Sequence, residues 1–242
     1  MKAIILAAGR GSRLKSMTDD RPKCLVEVRG RRLLDIQIAA LCDAGIAEIA
    51  IVTGYRREML ALPDVREFHN PDWARTNMVA SLACAAEWLE RDVCIVSYSD
   101  IFYPAAAPKL LVDHTADLAI TYDPDWRAQW EARFGDPLLD AETFRLDAAG
   151  NVAEIGRKPR RVEEVEGQYM GLLRFAPAGW AEIARLRATL PPETRDKIDM
   201  TSTLQRIVEA GRVSLAAIPF RGEWGEIDTE LDLRVFNRYQ LG

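Results

Sequence analysis

Apolar residues run unbroken through Ala3-Ile4-Ile5-Leu6-Ala7-Ala8, which predicts a strand buried on both faces over residues 2–7. A polar stretch of Gly, Arg, Ser and Lys follows. Leu33, Leu34, Ile38, Leu41 and Cys42 then recur close to a helical period, predicting a helix over 32–44 that Gly45 stops. Ile49-Ala50-Ile51-Val52 predicts a second buried strand, followed by a short helix near 55–61. Apolar positions 78, 79, 82, 85, 86 and 89 predict a helix from Asn77 to Leu89. Val93 to Val96 reads as a third strand, ending at Ser99-Asp100, and Leu118 to Tyr122 as a fourth. This rhythm predicts an α/β fold, a Rossmann-like, mostly parallel sheet flanked by helices on both faces.

The second half is less regular. Residues 123–167 hold Asp-Pro turns, Trp and Phe positions and a predicted hairpin around Ala149-Gly150-Asn151. They read as a small inserted, substrate-facing region within one domain spanning 1–242. Tyr169 to Phe175 and Val213 to Ile218 read as strands. Ala178 to Arg187, Met200 to Glu209 and Thr229 to Tyr239 read as helices. No internal repeat or flexible linker interrupts them.

Composition narrows the function. Hydrophobic residues at 48% and charged residues at 29% give an ordinary soluble core. A net charge of −5 argues against nucleic acid or anionic membrane as partner, so any phosphate must be met by positive charge gathered locally. Cys24, Cys42, Cys84 and Cys94 form no C-x-x-C pair and read as reduced thiols. Two distant histidines, His69 and His114, support neither a His-based metal site nor a triad. The N-terminal apolar run is too short for a signal peptide, and no stretch approaches the ~18 apolar residues of a membrane span. A cytoplasmic location is expected.

The first strand opens into Gly9-Arg10-Gly11-Ser12-Arg13-Leu14. Glycines let a backbone turn present N–H groups to phosphate, and Arg10, Arg13 and Lys15 can add charged donors. Leu14 stands where a dinucleotide fingerprint needs its third glycine, and no Gly-Lys-Ser/Thr ends the loop as in a Walker A motif. A plain tight turn would account for the glycines alone. Arg21-Pro22-Lys23 follows, then a β-like Leu25 to Val28. Leu6 to Leu14 joined to Arg21 to Lys23 resembles the nucleotidyltransferase superfamily of sugar-1-phosphate nucleotidyltransferases and phosphocholine cytidylyltransferases. The shared opening is L-A-A-G-x-G-(S/T)-R-L, then R-P-K. That resemblance implies that Leu6, Ala7, Ala8, Gly9, Gly11 and Ser12 wrap a nucleotide. It also implies that Arg13 and Lys23 neutralise the triphosphate. Physically, joining two anions at an α-phosphate requires such positive groups.

Asp100 falls at the carboxyl end of a predicted parallel strand, where open α/β sheets place ligands. Asp228, in Trp224-Gly225-Glu226-Ile227-Asp228, also fits a helix N-cap. Carboxylates beside phosphate oxygens suit Mg²⁺. The resemblance implies that Asp100 and Asp228 hold it, with Glu226 as a third ligand. Ser99-Asp100 in place of the commoner Gly-Asp favours the choline-type branch.

Thr76-Asn77-Met78-Val79-Ala80-Ser81-Leu82 is similar to the T-N-x-x-x-S-L segment of phosphocholine-type enzymes. Asn77 and Ser81, at i and i+4, share a helix face and can offer a pyrimidine a donor and an acceptor; an N-cap and a solvent-facing serine are the simpler assignment. Thr53-Gly54-Tyr55 resembles a second base-contacting turn. Trp126 and Trp130, beside Asp136, Asp140 and Tyr169, can box an ammonium group, although a core aromatic pair fits the spacing equally. Lys158 is within reach of an acceptor phosphate, or is a surface lysine.

The expected reaction is attack by an acceptor phosphate or phosphonate on the α-phosphorus of CTP, with Mg²⁺ as cofactor. Pyrophosphate leaves without a covalent enzyme intermediate. Arg13, Lys23 and Lys158 supply charge. The partners are then CTP and a phosphorylated small molecule such as phosphocholine, phosphoethanolamine or 2-aminoethylphosphonate, with a homodimer left open. Competing readings are a sugar-1-phosphate nucleotidyltransferase, a silent nucleotide-binding regulator of the same fold and, least supported, a Rossmann oxidoreductase.

Overall fold

β1 (Lys2–Ala7) alternates Ile4 and Leu6 towards one face with Ala3, Ile5 and Ala7 towards the other, and both sets are buried. A strand apolar on both sides belongs in the middle of a covered sheet. The computed structural model, which describes residues 1–238 apart from the side chains of Lys15, Ser16 and Arg238, places it there.

Along the chain follow the hairpin strands β2 (Glu27–Val28) and β3 (Arg31–Arg32), α1 (Leu33–Asp43), β4 (Glu48–Thr53) and β5 (Val65–His69). Then come α2 (Met78–Ala83), α3 (Ala86–Leu89), β6 (Cys94–Tyr98), β7 (Ile101–Phe102), α4 (Ala106–Val112), β8 (Leu118–Asp123) and α5 (Arg127–Phe134). The rest comprises β9 (Phe144–Leu146), β10 (Val152–Ile155), β11 (Gln168–Phe175), α6 (Pro177–Thr189), α7 (Pro192–Lys197), α8 (Met200–Ala210), β12 (Ala216–Pro219), β13 (Gly225–Glu226) and α9 (Glu230–Arg238). The predicted helix end at Tyr239 lies outside the described residues.

Seven strands form the main sheet in the order β12-β8-β11-β6-β1-β4-β5. Only β11 is antiparallel to its neighbours. The fold is therefore the expected mostly parallel, Rossmann-like sheet. Leu82, Leu89, Ile183 and Leu204 cover one face from α2, α3, α6 and α8; Leu34, Leu41, Leu111 and Trp130 cover the other from α1, α4 and α5. Each large apolar side chain so buried contributes about 1.5–3 kcal/mol. No helix among the described residues is long and apolar enough to cross a membrane.

Three local departures from the predicted pattern matter for the site. The helix expected from Asn77 to Leu89 is broken: Cys84 and Ala85 bond back only three residues, to Ser81 and Leu82, and Ala85 leaves helical geometry. Of the β-like stretch Leu25 to Val28 only Glu27–Val28 is strand, and Lys23–Leu25 form a 3₁₀ turn. Pro22 fixes its entry, and Leu25 and Val26 bond back to Pro22 and Lys23, curling Lys23 inward. In β11, Gly171 takes φ +80° where the pairing with β8 slips between Tyr169 and Leu173, which a side chain would strain.

Candidate active site

Parallel register brings three strand ends together. Ala7 of β1 lies beside Thr53 of β4, and Leu6 lies beside Tyr98 of β6. The loops leaving β1 and β6 therefore share one edge of the sheet, where open α/β folds bind ligands. The β13–β7 pair delivers the C-terminal carboxylates to the same edge: Glu226 pairs with Ile101, and the Ile227 N–H donates to the Asp100 carbonyl at 2.8 Å.

Lys23 sits at the centre, only 7% exposed. Its Nζ donates to Asp100 Oδ2 at 2.7 Å and to Asp228 Oδ1, while Arg13 pairs with Asp228 Oδ2 at 2.8 Å. The basic turn thus faces the two distant aspartates across a single cleft. Gly11 makes this approach feasible. At φ +72° its absent Cβ would lie 2.8 Å from the Lys23 stem. Asp228 does not cap α9 with its carboxylate. Thr229 takes that role, its Oγ1 accepting from the Asp232 N–H at 3.3 Å while Asp232 reaches back to the Asp228 and Thr229 N–H groups at 2.9 and 2.7 Å.

One oxygen from each of Asp100, Glu226 and Asp228 lies within 4.8 Å of the others. Asp100 Oδ1 is buried and has no hydrogen-bond partner among the described residues. A buried carboxylate oxygen left unpaired beside two more carboxylates fits a hard divalent cation, for which oxygen donors are the right set. Electrostatics agree with that crowding. Burial, then Asp228 and Asp100, push Glu226 up to about 8. For Asp228, burial acts upward, but Lys23 and Arg13 outweigh it and hold the group below its usual range. Burial likewise pulls Lys23 down, yet Asp100, Asp228 and Glu226 outweigh it and keep the ammonium charged.

These shifts predict a pH dependence in metal-free protein. With its folded pKa raised, Glu226 contributes stability that is fully present below its unfolded value of 4.5 and lost as pH rises through about 8. Asp228 has the opposite sign, and its contribution disappears only in acid. Thermal melts in EDTA from about pH 5 to about pH 9 should therefore fall with pH, and fall less steeply in Glu226→Gln. An identical slope in the variant contradicts this assignment.

Two chambers flank Arg13, Met78 and Tyr98. One, of about 200 Å³, is lined by Leu6, Ala8, Gly9, Gly11, Lys23, Asn77, Ser81 and Asp100, with Trp73, Thr76 and Ser99. Asn77 faces it while capping α2, its side chain accepting from the Met78 N–H at 2.7 Å. Ser81 is buried rather than solvent-facing, and its Oγ accepts from Asn70 at 2.9 Å. Ala7 does not line this chamber because strand alternation turns it to the opposite core, and Ser12 starts the turn at 12–18. Thr53, Gly54 and Tyr55 also stand behind the wall. Thr53 bonds Glu67, and Tyr55 packs on Trp73 and donates to the carbonyls of Thr18 and Asp19. The Lys15 side chain lies outside the described residues.

The second chamber, of about 250 Å³, is strongly acidic: Asp140, Glu142, Asp199, Glu226 and Asp228 line it, with Arg13 the one cation lining it among the described residues. Burial pushes Asp140 and Glu142 up. Tyr169 lines it edge-on to the Tyr98 ring, with its hydroxyl buried. The expected tryptophan box is altered. Trp130 lines the chamber with Trp224, but Trp126 precedes α5 and donates to the Val165 carbonyl inside the core. Asp136 instead caps the turn at Pro137–Leu139, and Lys158 donates to the carbonyls of Leu138 and Leu139. Neither lines a chamber. Glu142, Asp199, Thr201 and Gln168 were missed, since nothing local in the sequence marks them.

A mostly parallel sheet whose carboxyl edge sets a basic glycine turn against clustered carboxylates is suited to holding phosphate groups. The chain belongs to the MobA-like NTP transferase domain family, whose profile matches residues 3–166. It is 37% identical to the CTP:phosphoglutamine cytidylyltransferase of Campylobacter jejuni, over 97% of this chain and 98% of that one. It is 39% identical to the choline-phosphate cytidylyltransferase of Streptococcus pneumoniae, over 60% of this chain and 67% of that one. Among solved structures, the inositol-1-phosphate CTP transferase from T. maritima shares the fold, with a TM-score of 0.74 at 19% identity over 100% of this chain and 96% of that one.

Proposed function

We propose that the protein transfers CMP from CTP to a small phosphorylated or phosphonate acceptor bearing an ammonium group, releasing pyrophosphate. The observation that carries this reading is the junction of the two chambers. A nucleotide in the glycine-lined chamber and an acceptor in the acidic one meet at Arg13, beside Lys23 and the carboxylates. The reading of CTP as donor is supported by the two cytidylyltransferase relatives. Phosphoglutamine and phosphocholine, named for those relatives, are small and carry a nitrogen that can be cationic. Asp140, Glu142 and Asp199, the chamber's acidic groups outside the carboxylate cluster, suit such a group better than a neutral sugar.

In the reaction an acceptor oxygen, already anionic near neutral pH, bonds to the α-phosphorus as the bond to the bridging oxygen of pyrophosphate breaks. No general base is required. Arg13 and Lys23 reduce the repulsion between the two anions and stabilise charge growing on the leaving group. Asp100, Asp228 and Glu226 would hold Mg²⁺, which supplies Lewis-acid charge to the phosphate when bound. Tyr98 and Tyr169 stay neutral, because burial pushes both phenols well up, so they can only donate or accept hydrogen bonds.

Pyrophosphate release is the decisive measurement, made with CTP, UTP, dTTP and GTP against phosphoglutamine, phosphocholine, phosphoethanolamine, 2-aminoethylphosphonate and hexose 1-phosphates. CTP with one of the nitrogen-bearing acceptors should give the highest kcat/KM. A preference for a hexose 1-phosphate would overturn the acceptor class.

A further inference from the structure

We propose that Arg133 is a positioning residue that fixes the Asp228 and Glu226 carboxylates and links them to the acceptor chamber. The proposal rests on the transferase reading above. Arg133 belongs to α5, within the inserted region, and its side chain is 0% exposed. A guanidinium so deeply buried persists only where its donors are paired. Its Nε donates to Asp232 Oδ1 at 2.8 Å, and both terminal nitrogens reach Glu226 Oε2 at 3.3 Å.

Asp232 is itself 1% exposed and uses its other oxygen on the opposite side. Oδ2 accepts from the Asp228 N–H at 2.9 Å, from the Thr229 N–H at 2.7 Å and from Thr229 Oγ1 at 3.0 Å. One run of bonds therefore leads from the guanidinium through Asp232 to the peptide nitrogen of Asp228, whose carboxylate holds Lys23 and Arg13. Glu226, the neighbouring carboxylate, is held directly. The planar fork suits two carboxylates at fixed angles, which an ammonium cannot reproduce.

The other side of Arg133 touches the acceptor chamber's wall. The guanidinium lies 5.1 Å from the Trp130 ring centre and 4.8 Å from that of Phe134. Trp130 lines the chamber and packs on Trp224, two residues before Glu226. Arg133 thus joins the insertion that shapes the acceptor chamber to the segment that carries the carboxylates. Arg174 is a contrast: also buried, it donates to the carbonyls of Ala116 and Leu111 and lines neither chamber.

The test compares wild type, Arg133→Lys, Arg133→Met and Arg174→Met. It reads pyrophosphate release against Mn²⁺ concentration, the KM for nucleotide, Mn²⁺ binding by electron paramagnetic resonance without acceptor, and thermal melts. Supporting groups of this kind typically contribute about 10–100-fold to metal affinity or activity. Arg133→Met should lower kcat and weaken Mn²⁺ binding by about that factor, with the KM for nucleotide changed less than about threefold. Arg133→Lys should fall between it and wild type. Arg174→Met should lose thermal stability with unchanged Mn²⁺ binding. Should Arg133→Met not fold, Arg133→Lys carries the comparison. Wild-type Mn²⁺ binding and kcat in a folded Arg133 variant, or the same Mn²⁺ shift in Arg174→Met, would overturn the proposal. A wild type that transfers no nucleotide would instead defeat the functional reading, and Mn²⁺ binding would still report on Arg133.

Discussion

Replacing Lys23 by methionine is expected to lower pyrophosphate release at least ~100-fold, the loss typical of removing one group that stabilises a transition state. Lys23 has two roles that the variant separates. At rest its ammonium lies between Asp100 and Asp228, where it offsets two carboxylates in a poorly solvated cleft. In the proposed mechanism the same charge would face the phosphates during transfer. Breaking a buried pair by removing one partner costs about 3–5 kcal/mol, so Lys23→Met should also melt earlier in EDTA. A divalent cation can replace the missing charge between the carboxylates, and Mg²⁺ should restore much of the melting temperature. It should not restore turnover, because the lysine is still missing opposite the leaving group. Near-normal kcat in a folded Lys23→Met protein would remove Lys23 from the mechanism. Recovery of turnover as well as stability by Mg²⁺ would leave it only the resting role.

Much of the arrangement around Lys23 was legible in the chain, for physical reasons that differ by position. The glycine turn could be read because backbone turns leave a compositional mark at the place where they occur. Asp100 could be read because a strand's carboxyl end follows from its apolar run. Residues whose role depends on packing left no such mark. Trp126 and Trp130 do share one face at the start of α5, where the Trp130 N–H bonds back to the Trp126 carbonyl and the rings pack 6.0 Å apart, but both are core residues and Trp130 alone of the two also lines the cavity. Lys158 was expected near phosphate, and its ammonium instead satisfies two carbonyls of the turn that Asp136 caps. Arg133 is set apart by nothing in the sequence from Arg127 and Glu131 on the same helix. Its burial arises only when α9 brings Asp232 beneath it, 99 residues further on. The acidic chamber likewise assembles Glu142, Gln168 and Asp199 from separate segments. No local period records their meeting.

Replacing Asp100 by asparagine is the more selective experiment, because it changes charge with almost no change of shape. Asp100 Oδ2 accepts from Lys23 at 2.7 Å, whereas Oδ1 is buried with no partner among the described residues. An amide can keep the first contact through its oxygen, so the cleft and the nucleotide chamber should remain formed. What it cannot do is offer two anionic oxygens; the second position becomes an N–H₂ donor pointing where the orphan oxygen pointed. A donor there repels a cation. The expected result is a fall in kcat of ~100-fold or more with the KM for CTP little changed, the signature of an interaction that matters in the transition state more than in the ground state. Thermal melts provide a readout independent of turnover. Mn²⁺ should raise the wild-type melting temperature by mass action on the folded form, and should raise that of Asp100→Asn far less. A variant that Mn²⁺ stabilises as strongly as wild type, and that turns over at a similar rate, would mean that the orphan oxygen serves neither metal nor phosphate. Asp100 would then be only the counter-charge of Lys23, and Glu226 and Asp228 would have to carry any cation between them.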